Sequence, residues 1–235
     1  MRSLLSHIIF TAALTAAPIG GVLAHGGGSM PSGPTGMVTA EPRSTVDAAK
    51  SAYNAGVRNI KKAQEYDADA AKASSPEKAA KAHDKAQKAY HDSVSSFIDA
   101  VGADPKMYQA WNYLGFANRH MGNYEDALSS YAKALEINPN YPDAIEYRGE
   151  AYLGLNQIEE AKGAYMALFK DSRPLADELM AAMHHWADAR RKDAQGLSSA
   201  DVEAFAKWMD ERSGIAAQTA SLAIGAAQPW RQGLR

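Results

Sequence analysis

The segment AWNYLGFANRHMGNYEDALSSYAKALEINPN, Ala110–Asn140, carries Trp, Leu, Gly, Ala and Tyr at regular intervals. Sliding the chain along itself by 34 residues aligns this segment with the next one, without a gap, at seven identical positions. The identical pairs are Ala110 and Ala144, Tyr113 and Tyr147, Gly115 and Gly149, Ala117 and Ala151, Glu125 and Glu159, Ala127 and Ala161, and Tyr131 and Tyr165. A period of this length in helix-forming sequence predicts stacked helix–turn–helix units that bury their apolar faces against one another.

The residues at these positions resemble the tetratricopeptide repeat family. In the first unit the resemblance is carried by Trp111, Leu114, Gly115, Ala127, Tyr131, Ala134 and Pro139, and in the second by Gly149, Tyr152, Ala161 and Tyr165. The second unit departs from the family pattern at Ile145, Arg148 and Leu168. The resemblance implies that Gly115 is small because two helices cross closely there. Pro139 ends the second helix because it has no N–H to continue it, and Gly122 supplies the tight link between the two helices.

Helical periodicity extends to both sides of the repeats. Apolar residues recur at helical spacing before Pro76 and again up to Gly102, which predicts a long antiparallel hairpin over 44–104. Two repeat units follow over 105–171, and helices within 172–235 are expected to cap the stack before a frayed tail. The sequence therefore predicts an all-α, TPR-like helical hairpin solenoid with an elongated N-terminal hairpin and C-terminal capping helices.

The N-terminal residues have the layout of a secretory signal peptide. One basic residue, Arg2, precedes an apolar run that ends at Ala24 with small or apolar residues at the cleavage positions. We expect cleavage after Ala24, and we expect residues 25–43, which are rich in Gly, Ser and Pro, to form a flexible tether. This layout predicts a periplasmic or secreted protein with no membrane insertion after cleavage.

Composition argues against several classes of function. The formal charge is −2, so the chain lacks the basic footprint typical of nucleic-acid binding. Cysteine is absent, which excludes disulfides and thiolate chemistry. No motif of a metalloprotease, nucleophile elbow or phosphate loop occurs, so the sequence predicts no enzyme and no cofactor.

The family resemblance implies a binding face formed by the first helix of each unit. The residues expected to line this concave groove and to bind a partner peptide or protein are Gln109, Asn112, Phe116, Arg119, His120, Asp143, Glu146, Glu150 and Leu153. The first unit offers donors and the second is acidic, which suits a peptide of mixed charge. The sequence therefore favours a protein–protein interaction module or scaffold.

Two alternatives use other parts of the chain. After cleavage, the amino group and imidazole of His25 could chelate copper, with Met30 and Met37 nearby. His184 and His185 are adjacent on a predicted helix, so their imidazoles point in different directions and form a poor metal site. The second alternative is a structural protein of the cell envelope that self-associates into a homo-oligomer.

Overall fold

The computed structural model describes residues 44–226, with side chains described as far as residue 219. Within this range the chain forms eight helices and no strand, which confirms the all-α prediction. The helices are α1 Thr45–Ala71, α2 Pro76–Ala103, α3 Tyr108–His120, α4 Tyr124–Ile137, α5 Pro142–Gly154, α6 Ile158–Asp171, α7 Arg173–Lys192 and α8 Ser199–Ala226. The predicted signal peptide 1–24, the tether 25–43 and His25 lie outside the described residues.

Side chains placed just before the long helices satisfy the free N–H groups of the first turn. The Ser44 hydroxyl accepts a hydrogen bond from the Asp47 N–H at the start of α1, and Ser75 caps α2 ahead of Pro76. At α8 the Ser198 hydroxyl accepts from the Asp201 N–H over 3.1 Å and donates to the Asp201 carboxylate. Ser198 is therefore the N-cap residue of α8.

The helices form two layers. The first helix of each hairpin, here called an A helix, packs on the next A helix, so that α1, α3, α5 and α7 form one layer. The second helices, α2, α4, α6 and α8, are the B helices, and α2, α4 and α6 each pack on the A helices before and after them. The described chain is therefore a TPR-like helical solenoid in which the A layer presents a continuous surface.

The two central units share their turn geometry as well as their sequence. Gly122 links α3 to α4 with φ +81°, and Asn156 occupies the equivalent position between α5 and α6 with φ 59°. Asn tolerates the left-handed region better than most residues with a side chain. Its side-chain oxygen also accepts a hydrogen bond from Arg190 Nε at 2.8 Å, so the second turn is tied to α7.

The residues that carry the family pattern mostly lie in the interior. Eight of the eleven are buried, Trp111 and Tyr152 are half-buried, and Pro139 is exposed. A Cβ added to Gly115 would lie 2.6 Å from the ring of Tyr131 on the paired helix. The close crossing that the resemblance implied is therefore present, and only glycine fits there without a shift of the tyrosine ring.

The C-terminal helices complete the stack with the largest apolar cluster. Trp186, Phe205 and Met209 are buried on α7 and α8 against residues of the second repeat unit. The Trp186 indole N–H donates to the Leu153 carbonyl at 2.6 Å. In the range 44–226, no helix combines the length and apolar character that a membrane crossing needs.

Candidate partner-binding face

All the residues predicted to line the groove lie on the A helices α3 and α5, but most are not open to solvent. Gln109, His120 and Asp143 are half-buried. The remaining six are buried: Asn112, Phe116, Arg119, Glu146, Glu150 and Leu153. The binding role of these residues stays a prediction, but the side chains of the six are closed to solvent. The physical reason is the direct packing of α3 on α5, which turns the facing positions of the two units toward each other.

Arg119 is the centre of the buried polar group. Its guanidinium forms an ion pair with the Glu150 carboxylate from the next unit. It also lies over two aromatic rings, with Cζ 5.3 Å from the centre of Phe116 and 5.4 Å from that of Tyr147. Arg119 of the first unit is thus paired with Glu150 of the second unit. Two of the charges that were expected to bind a partner peptide therefore bind each other.

Glu146 is a second buried acid, and it forms no such ion pair with any of the residues that the structure describes. Its side chain is 2% exposed, and its Oε2 atom has no hydrogen-bond partner among the described residues. Burial raises the pKa of Glu146 from its ordinary 4.5 to about 8. Arg119 opposes this change, and the neighbouring acids Glu178 and Asp143 add to it. A carboxyl group in this setting keeps its proton near neutral pH.

The raised pKa of Glu146 predicts how stability depends on pH. The folded state binds the Glu146 proton more tightly than the unfolded chain, so its contribution to the unfolding free energy is full below pH 4.5. It is lost as the pH rises through about 8, at about 1.4 kcal/mol for each pH unit in between. We expect Glu146→Gln, which cannot ionise, to match the natural protein at pH 4.5. At pH 8.5 the variant should be the more stable of the two, because it escapes this loss, as measured by urea denaturation at both pH values.

The control for this prediction is Glu160→Gln, since Glu160 is an exposed acid on α6. The unfolding free energy of the Glu160→Gln variant should change with pH in the same way as that of the natural protein. Equal stability of Glu146→Gln and the natural protein at pH 8.5 would show that Glu146 is not held in its neutral form.

His120 closes one end of the polar group. Its ring stacks on Tyr90 at 4.8 Å between centres and lies 4.4 Å from Phe116. Burial, helped by the nearby charge of Arg119, lowers the pKa of His120 well below its usual value. The imidazole is therefore neutral and serves as a ring in the aromatic packing, with Tyr90 held in turn by a 2.7 Å hydrogen bond to Asp67.

Half-exposed tyrosines gather on and beside the A helices α1, α3 and α5, and the sequence did not point to them as a group. We call this group the tyrosine basin; its members are Tyr53, Tyr108, Tyr113, Tyr141 and Tyr147. The ring centres of Tyr53 on α1 and Tyr113 on α3 are 5.9 Å apart. The rings of Tyr108 and Tyr141 meet edge-on, with 4.9 Å between their centres. Burial raises the pKa of Tyr141, and the charge of Asp143 and the hydroxyls of the other tyrosines raise it further. These tyrosines therefore lie close to one another and to Asp143.

The sequence pattern indicated only part of the tyrosine basin, because its members come from three parts of the chain. Tyr113 and Tyr147 occupy the same position in consecutive units, and the period of 34 brings them into register. Tyr53 comes from α1, whose register against the repeats the sequence left undefined. Only the packing of α1 on α3 joins it to the others.

Family comparison agrees with the repeat register. Tetratricopeptide repeat models match residues 108–141 and residues 130–163. The chain carries tetratricopeptide repeats. Such repeats generally serve as non-enzymatic modules for protein–protein interaction. The matched residues include the helices α3 and α5. No curated protein sequence matches the chain.

Among solved structures, the chain is similar to two tetratricopeptide domains. One is the first TPR of Spaghetti (RPAP3) bound to the HSP90 peptide SRMEEVD, with 19% identity and a TM-score of 0.45. That match covers 60% of this chain and 95% of the other. The second is the second TPR domain of the human RPAP3 protein in complex with the HSP70 peptide SGPTIEEVD. It has 16% identity and a TM-score of 0.42, with coverage of 60% and 98%.

The helical histidines do not form a site in this stack. His184 and His185 are both exposed on α7, whereas Met180 and Met183 are buried in the C-terminal core. Within the described part of the chain, no three His, Asp or Glu side chains are grouped closely enough to ligate a metal ion.

Proposed function

We propose that the protein is an interaction module that binds an extended segment of a partner protein along its A layer. The observation that carries this proposal is the polar interior of the layer. Asn112 and Glu146 hold equivalent positions in consecutive units, both are almost fully buried, and each has an oxygen without a hydrogen-bond partner among the described residues. Unsatisfied buried polar groups cost stability, and natural proteins keep them chiefly where function requires them.

The half-exposed residues of the same layer supply the accessible contact surface. Gln109 and Asp143, which also hold equivalent positions, are the polar part of this surface, and the tyrosine basin is its aromatic part. Rigid aromatic side chains are enriched where proteins bind one another because they offer a large contact area at a small entropic cost.

Site-specific photo-crosslinking tests this proposal without disturbing the buried ion pair. A photoreactive amino acid is placed at Gln109, at Glu178, or at Met166, an exposed residue of the B helix α6. We expect the same partner to be crosslinked from Gln109 and Glu178 in cells that express the protein, and not from Met166. Adducts formed mainly from Met166 would place binding on the B helices and contradict the proposal.

We also propose that the module acts in the periplasm or outside the cell. The support is the signal-peptide pattern over 1–24. Sequencing the N-terminus of protein purified from its own cells should give His25 as the first residue, whereas a start at Met1 would contradict the proposal. Copper binding by His25 requires the same free amino group and stays a prediction.

A further inference from the structure

The tyrosine basin lies beside acidic side chains. Asp143 raises the pKa of Tyr141 and of Tyr147 by its charge, and Asp143 and Glu178 both act in the same direction on Glu146. Asp143 is therefore the acid beside the aromatic rings, and Glu178 of α7 lies near Glu146. Arg119, the base that acts on Glu146 and Tyr147, is already paired with Glu150.

The floor of the basin is apolar and firmly held. Phe97 of α2 is fully buried and stacks beneath Tyr113, with 5.6 Å between ring centres and 14° between ring planes. Tyr53 packs against the same Phe97 ring at 5.9 Å. The rings above this floor come from the α1, α3 and α5 parts of the chain, so their spacing is fixed by the packing of three A helices.

Resting on the proposed function, we infer that the tyrosine basin receives a basic side chain, arginine or lysine, from the bound segment of the partner. Aromatic rings attract a cation at their faces, and the guanidinium group also stacks on them. Asp143, half-buried at the edge of the basin, supplies the opposite charge. The unpartnered Oε2 of Glu146, 2% exposed on the same helix, adds a buried acceptor that an incoming donor would satisfy.

A pair of blocked peptides tests this inference. The probe is a seven-residue Gly/Ser peptide with two arginines, and its match carries citrulline, the neutral isostere, in their place. The full mature chain is labelled with ¹³C in its tyrosine rings, and binding is followed by NMR. We expect the arginine peptide to shift the basin tyrosines in a saturable manner and the citrulline peptide to bind more weakly.

Two substitutions locate the charge. Asp143→Asn should weaken binding of the arginine peptide roughly two- to fivefold, as expected when one partly exposed ion pair is removed. Asp210→Asn, an exposed position on α8, is the matched control and should leave binding unchanged. Circular dichroism of both variants shows whether the fold is kept. Equal binding of the two peptides, no shift of the basin tyrosines, or unchanged binding by Asp143→Asn would each overturn the inference.

The outcomes separate this inference from the proposed function. If the partner is still crosslinked from Gln109 and Glu178 while the arginine peptide fails to bind, the A layer remains the interaction face. Only the inference that the tyrosine basin receives a basic side chain is then wrong. If crosslinking fails and the arginine peptide binds at the basin, the cation site stands without the proposed partner segment.

Discussion

Replacing Arg119 with methionine is expected to destabilise the protein by about 3–5 kcal/mol, the usual cost of breaking a buried ion pair by removing one partner. The substitution leaves Glu150, only 6% exposed, without its counter-charge, and it removes the positive charge that opposes the raised pKa of Glu146. The loss arises mainly from stranded acids. It should therefore be smaller at pH 4.5 than at pH 8, as measured by urea denaturation at both pH values.

Two comparison variants separate charge from packing. The double variant Arg119→Met/Glu150→Met removes both members of the pair and should recover most of the lost stability, because an apolar pair of similar size can replace a buried ion pair. Lys133→Met breaks the exposed pair with Glu136 on α4 and should change stability by less than about 1 kcal/mol. A double variant as unstable as Arg119→Met would show that the aromatic contacts of Arg119, and not its pairing, dominate.

The burial of the Arg119–Glu150 pair could not be predicted from the sequence. The repeat period placed both residues on the A helices, and their family positions pointed to a groove. Arg119 and Glu150 are far apart along the chain, and each resembles a solvated charge on its own helix. Their burial follows from how closely α3 approaches α5, which depends on side chains from several helices and not on a local pattern.

The same limit explains the different success of other predictions. Gly115 and Tyr131 could be assigned to a close crossing because a strict residue type at a fixed spacing reflects a local steric demand. The boundary of α2 at Pro76 was predictable for the same reason. The tyrosine basin was not, because Tyr53 belongs to a hairpin outside the period. Sequence patterns of this kind specify the units more fully than the contacts between them.

Trp186 is a case in which the largest contribution to the core lies outside the family pattern. Its side chain is fully buried and its indole N–H donates to the Leu153 carbonyl of the second unit. Its ring meets Phe205 of α8 edge-on, with 5.5 Å between centres and 80° between planes. One side chain thus joins α5, α7 and α8. Trp111, the tryptophan at the family position, is only half-buried and bonds to the nearby Pro105 carbonyl.

We therefore expect Trp186→Ala to lower the unfolding free energy by about 3–5 kcal/mol, the range for a large aromatic side chain removed from a core. Trp111→Ala should cost less than half as much, since its side chain is less deeply buried and its hydrogen bond spans only a local loop. Urea denaturation followed by circular dichroism measures both without relying on the fluorescence of the deleted indole. An equal loss of unfolding free energy in the two variants would contradict this expectation. A larger loss for Trp186→Ala would show that α7 and α8 belong to the solenoid core. The second unit would then depend on them to cover its apolar face.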